Sequence, residues 1–262
     1  MRLALGISYN GQAYEGWQSQ PSGRTVQDKL EAALAAFAAR AQPISTVCAG
    51  RTDAGVHGLM QVVHFDTGLQ REEFSWVRGT NVFLPPDIAV QWARQVPDSF
   101  HARNSATARR YAYVLLESPV RPSVEAGRAG WVFKPLDGDA MRQAAALLLG
   151  EHDFSSFRAS ACQAKSPLKT MRRIEIARRG PYWRFEFEAN AFLHHMIRNI
   201  MGCLIQVGQG LQEPAWISQV LQARSRDAAA PTFAPDGLYF LGPLYDAAWG
   251  LPSRTAAYDW LP

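Results

Sequence analysis

One aspartate, Asp53, lies in the middle of the segment Gly50-Arg51-Thr52-Asp53-Ala54-Gly55-Val56-His57-Gly58, with Arg51 two positions before it. Glycines at 50, 55 and 58 permit tight or positive-φ backbone and the close approach of a ligand. A carboxylate held ionised and presented to a substrate acts as a covalent nucleophile or a general base. The same residue in a tight turn also serves as a cap. A second group is Arg109-Arg110-Tyr111-Ala112-Tyr113. On a strand, alternation puts Tyr111 and Tyr113 on one face and Arg110 on the other. Rings beside guanidinium groups suit an unstacked base and its phosphates, although two tyrosines also fill the core of an ordinary strand.

Two further groups stand out. Residues 158–179 hold Arg158, Lys165, Lys169, Arg172, Arg173, Arg178 and Arg179 against one acid, Glu175. A run of one sign across a loop and a strand is either a solvated face or a surface for phosphates, and its one-sidedness favours phosphates. In Phe192-Leu193-His194-His195-Met196-Ile197-Arg198-Asn199-Ile200, a helix would place His194, Ile197 and Arg198 on one face and Leu193, Met196 and Ile200 on an apolar one. An arginine in such a helix needs a partner, because an unpaired buried charge is costly. Asp53 is one candidate, and the pair would keep the carboxyl ionised by lowering its pKa. Glu186 and Glu188 are the others.

The elements that must position these groups read as an α+β pattern. An opening strand runs to the turn signal Asn10-Gly11. Thr25 with Asp28 resembles a capping box and starts a helix whose buried face is Val26, Leu30, Leu34 and Phe37. A short strand at Ile44 to Cys48, the glycine-punctuated loop, a strand at Leu59 to Thr67, a helix at 71–80 and a strand at 88–96 complete a first half. The second half has a strand at Arg109 to Leu116, a Pro/Gly loop at 118–130 and a helix from about Asp137 to the C-terminal glycine Gly150. A loop at 151–168 follows, then strands at 169–178 and 182–189 joined by Arg179-Gly180-Pro181. Helices near 193–207 and 214–223 and a strand from Leu238 to Tyr245 end the series. The division expected is 1–104, carrying the Asp53 loop, and 105–262, carrying the tyrosine strand, the basic stretch and the Arg198 helix.

Composition narrows the chemistry. Residues 101–200 carry 16 basic and 9 acidic side chains, against 8 and 9 before them and 3 and 5 after, so the positive excess is concentrated in the middle. Only Lys29, Lys134, Lys165 and Lys169 are lysines; the rest are arginines, whose forks suit phosphates and stack on bases. Cys48, Cys162 and Cys203 are far apart and form no C-x-x-C, which points to neither a disulfide framework nor a zinc site. There is no H-E-x-x-H, and His194 and His195 on a helix would face different ways, so no metal is expected. No Walker loop, G-x-G-x-x-G or G-x-S-x-G is present. No apolar run reaches the roughly 20 residues of a membrane span, and the opening residues read as a strand rather than a secretion signal. A soluble cytoplasmic protein is the expectation.

Taken together these segments resemble the TruA-type tRNA pseudouridine(38–40) synthases. The matching pieces are Tyr9-Asn10-Gly11 with Gly16-Trp17-Gln18, Thr25-Val26-Gln27, Gly50 to His57, Arg109-Arg110-Tyr111-x-Tyr113, Lys169-Thr170-Met171-Arg172 before Ile174, Phe192 to Ile200, and Ala234-Pro235-Asp236-Gly237-Leu238-Tyr239. They span most of the chain in one order, and Gly50 to His57 is the most specific. Family members often have alanine where this chain has Gly58, and other residues at Asn10. The resemblance implies an α+β fold of two pseudo-repeated halves forming a central, mostly antiparallel sheet with flanking helices and a basic cleft. It also implies an isomerase that turns uridine into pseudouridine in the tRNA anticodon stem-loop, with no cofactor, no metal and no obligate protein partner. A homodimer is expected, each tRNA touching both subunits.

In that reaction a base is unstacked, at a cost of a few kcal/mol, detached from its ribose and rejoined through carbon. Asp53 would be the nucleophile, toward either the sugar or the ring. Arg51 would hold the displaced conformation, and Tyr111 would stack on the uracil and is a candidate to take the C5 proton. Arg198 would keep Asp53 charged. Arg109, Arg110, Lys169, Arg172 and His195 would bind the RNA. Two other classes compete. An RNA-binding module gives no reason for Asp53, and a base-excising glycosidase needs a second carboxylate near it; Asp66, the nearest in sequence, falls at the far end of the next strand.

Overall fold

The computed structural model describes residues 1–252. In chain order its first elements are β1 (Arg2–Tyr9), α1 (Val26–Phe37), β2 (Val47–Cys48), β3 (His57–Asp66), α2 (Glu73–Phe83) and β4 (Ile88–Val96). Then come β5 (Ala106–Glu117), β6 (Gly130–Val132), α3 (Gly138–Ala146), β7 (Gly150–Asp153), β8 (Leu168–Arg179), β9 (Tyr182–Ala189), α4 (Met196–Gly208), α5 (Trp216–Ala223) and β10 (Leu238–Tyr245). The fold is α+β, its strands mostly antiparallel and flanked by helices, as the element pattern implies. Two compact units emerge. One takes in Met1–Arg109 and residues 239–252; the other is Arg110–Leu238.

In the first unit β1 lies between β4 and β3, antiparallel to both, and Tyr9 stands opposite Gly58. β2 adds to β3, and β10 joins β3 in parallel through Tyr239 and Phe240. Helix α1 starts where the capping pattern places it. The Thr25 hydroxyl accepts from the Asp28 N–H and donates to the Asp28 carboxylate. Val26, Leu30 and Leu34 are buried against Leu5, Ile7, Val63, Phe65 and Trp76. On the other side of the sheet Ala4, Val62, Phe100 and Ala102 form a second cluster. Two layers of cover explain why β3 does not alternate: nine of its ten residues are buried. The strand expected from Ile44 is reduced to Val47–Cys48.

In the second unit β8 and β9 form the expected hairpin, β7 pairs antiparallel with β8, and β6 runs parallel to β5. Trp183, Phe185 and Phe187 are buried, whereas Arg184, Glu186 and Glu188 on the opposite face are half-buried. Asp137 caps α3 by accepting from Asp139 and Ala140 N–H groups. The helix stops at Ala146, short of Gly150, which instead opens β7. The stretch 151–168, expected as loop, therefore begins with strand and contains a turn of 3-10 helix at Ser155–Phe157. Gly-Glu-His-Asp has little strand propensity; its pairing with Leu168 to Met171 makes it a strand. β6 is likewise recruited by pairing with Leu115 to Glu117.

Candidate active site

In the first unit the loop before β3 is fixed residue by residue. The Ala49 N–H donates to Val62 O at 2.8 Å. Gln61, fully buried, donates through Nε2 to Gly50 O and accepts from the Gly50 N–H. Thr52 O accepts from the Trp17 N–H at 3.0 Å, and its hydroxyl shares a hydrogen bond with the Tyr9 phenol at 2.8 Å. Burial pushes that phenol well above its usual range, so it stays protonated. Asp53 O accepts from the Val56 N–H, and the Gly55 N–H donates to Tyr14 O. His57 Nδ1 accepts from the Gly11 N–H at 3.1 Å while its ring stacks on Tyr239, centroids 4.6 Å apart. The pieces Tyr9-Asn10-Gly11 and Gly16-Trp17 thus form the bed on which the Asp53 loop rests.

Within this frame Thr52 and Val56 are buried anchors, Asp53 is half-buried, and Arg51 and Ala54 are exposed. The arrangement presents one carboxylate on backbone held by hydrogen bonds on both sides of it, which is what pre-organised nucleophilic or base chemistry needs. Gly58 does not make room for a ligand. A Cβ there would lie 2.4 Å from the Tyr9 ring, so the space is already taken by protein. Arg109, expected to bind substrate, donates to the carbonyls of Ala49, Arg103 and Ala106. It braces the start of the loop from behind.

In the second unit Tyr111 is buried and meets Phe192 edge-on, centroids 5.0 Å apart. Tyr113 is a core residue: its hydroxyl donates to Ala234 O at 2.9 Å, and its ring packs near Phe233. Arg110 is half-buried on β5. Helix α4 begins at Met196, not near 193, so His194 lies outside it and shares no helix face with Arg198. His195 precedes the helix with φ of 60°, the left-handed region that non-glycine residues visit at a cost. The two histidine rings do not point apart but sit 4.0 Å from each other. Arg198 is half-buried in the first turn; its Nε donates to Phe233 O at 2.8 Å. Glu186, one of its candidate partners, binds Arg184.

The basic run divides by role. Arg158 donates to Cys162 O and Ala164 O, and Lys169 Nζ to Ser166 O and Leu168 O, so both shape the loop before β8. Arg173 pairs with Glu175. Arg178 pairs with Glu117 at 2.9 Å and lies over the Trp183 ring. Arg172 is the extra residue of a β-bulge: Met171 and Arg173 face consecutive residues of β9, and the exposed Arg172 falls between them. Side chains that hold these segments and that pattern reading missed are Gln61, Asn199 and Thr232. Only Asn199 had a signal, as a polar residue next to Arg198 in an apolar helix.

Comparison with known proteins agrees in kind. Residues 7–104 and 144–246 match a family model described as tRNA pseudouridine synthase. A protein of Polaromonas naphthalenivorans (strain CJ2), named tRNA pseudouridine synthase A, is 77% identical over 266 residues, covering all of both chains. One of the same name from Paracidovorax citrulli (strain AAC00-1) is 75% identical over 280 residues, again covering both chains in full. Among solved structures, the crystal structure of a Cbf5-Nop10-Gar1 complex aligns with 78% of this chain and 45% of that one at 13% identity and a TM-score of 0.36, a likeness too faint to bear on fold or function. Among the described residues no helix is long and apolar enough to cross a membrane.

Proposed function

We propose, from the premise that the chain belongs to the tRNA pseudouridine synthase family, that it isomerises uridine to pseudouridine in the anticodon stem-loop at positions 38–40, with Asp53 as nucleophile. The observation that carries this reading is a half-buried carboxylate on a loop whose backbone is tied down from Ala49 to His57. Overall, the bond from the ribose C1′ to N1 of the base breaks and one from C1′ to C5 forms. N1 gains a proton and C5 loses one, so the step balances without an oxidant or a cofactor. The target uridine leaves its stack before reaction, a cost smallest in a loop.

Arg51, exposed beside Asp53, holds the displaced nucleotide. Tyr111 stacks on the uracil and is the candidate to take the C5 proton. Arg198 is the group proposed to keep Asp53 ionised. Arg110, Arg172 and His195 contact the RNA, while Arg109 and Lys169 contribute by holding the loops on which neighbouring contacts sit. The enzyme works in the cytoplasm as a homodimer, without a metal and without another protein.

The test is tritium release from C5-labelled uridine in unmodified tRNA transcripts, in EDTA, by wild type and Asp53→Asn. Release by wild type and none by the variant, with tRNA still bound, is expected. Bound tRNA with no release by wild type would leave an RNA-binding module. Free uracil as product would indicate a glycosidase instead.

A further inference from the structure

Helix α4 starts in an unusual way. The residue before it, His195, is left-handed and offers no side-chain cap, so the direction of the first turn must be set from outside the helix. A segment far along the chain does this. The Ala230 N–H donates to Cys203 Sγ at 3.3 Å, and the Phe233 N–H to Arg198 O at 3.1 Å. Between them a Cβ at Gly202 would stand 2.3 Å from Pro231 O, so only glycine lets the segment lie flush on the helix. Arg198, Asn199, Gly202 and Cys203 thus form one docking face.

The polar centre of that face is Asn199, which has no solvent exposure. Its Nδ2 donates to Phe157 O at 2.8 Å. Its Oδ1 accepts from the Thr232 hydroxyl at 2.7 Å and from Arg226 Nη2 at 3.2 Å. Arg226 also reaches Thr232 Oγ1 at 3.1 Å and Ala229 O at 3.2 Å. One residue on, Phe233 O accepts from Arg198 Nε. A guanidinium is planar, so tying Nε to a fixed carbonyl sets the plane in which its Nη groups lie. The carbonyl is held because Thr232, its neighbour in the chain, is held by Asn199 and Arg226.

We infer that Asn199, Thr232 and Arg226 are positioning residues that act through Arg198, aiming its guanidinium for the pseudouridylation step. This rests on the catalytic role proposed above for Arg198. A hydrogen-bonded network closed around a buried amide is what such aiming needs, because its members specify a single geometry. Misplacement of a catalytic group by a fraction of an ångström to an ångström lowers turnover by about ten- to a hundredfold.

The experiment is a double-mutant cycle on tritium release, reading kcat and KM separately. Asn199→Ala leaves a buried hole and is prone to misfold, so the working variant is Thr232→Val, equal in shape and lacking only the hydroxyl. Thr232→Val is expected to lower kcat about tenfold with KM for tRNA unchanged, and Thr232→Ser to restore it. In an Arg198→Ala background Thr232→Val should have no further effect on kcat, since its target is gone. An equal loss from Thr232→Val in both backgrounds, or a rise in KM alone, overturns the inference. If Arg198→Ala itself left kcat intact, the reading of Arg198 would fall, and the inference with it.

Discussion

Strands β3 and β8 are built in opposite ways. β3 is buried on both faces, and the loop that leads into it is held by backbone and neutral side-chain hydrogen bonds, with Arg109 at its start. β8 is largely exposed, carries most of the basic run and satisfies its charges by salt bridges and stacking. The difference fits the roles proposed for each. A carboxylate that must meet one atom needs a dry, unyielding frame, since displacement costs rate. Cations that meet phosphates are useful while wet and mobile, because long-range attraction does most of their work. The bulge at Arg172 belongs with these wet cations, since it turns one guanidinium outward without disturbing the core.

Acid should break the contrast most strongly. Burial, reinforced by the positive charge of Arg2 and by His101, pushes His64 on β3 down to about 4; its Nδ1 accepts from the Ala102 N–H at 3.1 Å. An unfolded histidine titrates near ~6.5, so between there and about 4 the unfolded chain binds a proton that the folded one refuses. Stability is complete above about pH 6.5 and falls as the pH drops toward 4, by up to about 3 kcal/mol. Urea titrations across that range should show the fall for wild type and a smaller one for His64→Gln; equal falls would refute the assignment. Next in size is Gly58→Ala, whose methyl must displace the buried Tyr9 ring and should cost about 1–3 kcal/mol and lower kcat. Melting and turnover measured together check it, and unchanged values in both would mean the frame is softer than it looks.

Tyr9→Phe removes the hydroxyl that holds Thr52 and should destabilise by about 1 kcal/mol, with loss of kcat rather than of tRNA affinity. On β8 the signature reverses. Arg172→Ala should raise KM a few-fold, leave kcat unchanged and reduce the slope of log affinity against log salt by about one; a loss confined to kcat would contradict a phosphate role. Smallest of all, Arg173→Ala breaks an exposed pair and should change stability by no more than about 0.5 kcal/mol in denaturant melts.

Much of this architecture is legible in the order of the amino acids. The cap at Thr25 and the hairpin at 179–181 depend on neighbours within a few positions, and local physics is written locally; the strands at 88–96 and 238–245 and the glycine-punctuated loop around Asp53 show in residue types and turn signals. Weak strands β6 and β7 are not legible there, because a partner strand rather than propensity makes them. Nor is the burial of β3 on both faces legible there, since cover on its second face comes from Phe100 and Ala102, beyond the next helix and strand. Residue types and spacing alone identified Asp53, Tyr111 and Arg198 as the groups to watch. Only tertiary structure disclosed what holds them: Tyr9, Gln61 and Arg109 around the loop, Asn199 and Thr232 beside the helix. The physical reason is that a reactive group advertises itself by its own chemistry. A supporting group is an ordinary residue until the chain returns, 33 positions later in the case of Thr232 and Asn199, to give it a partner.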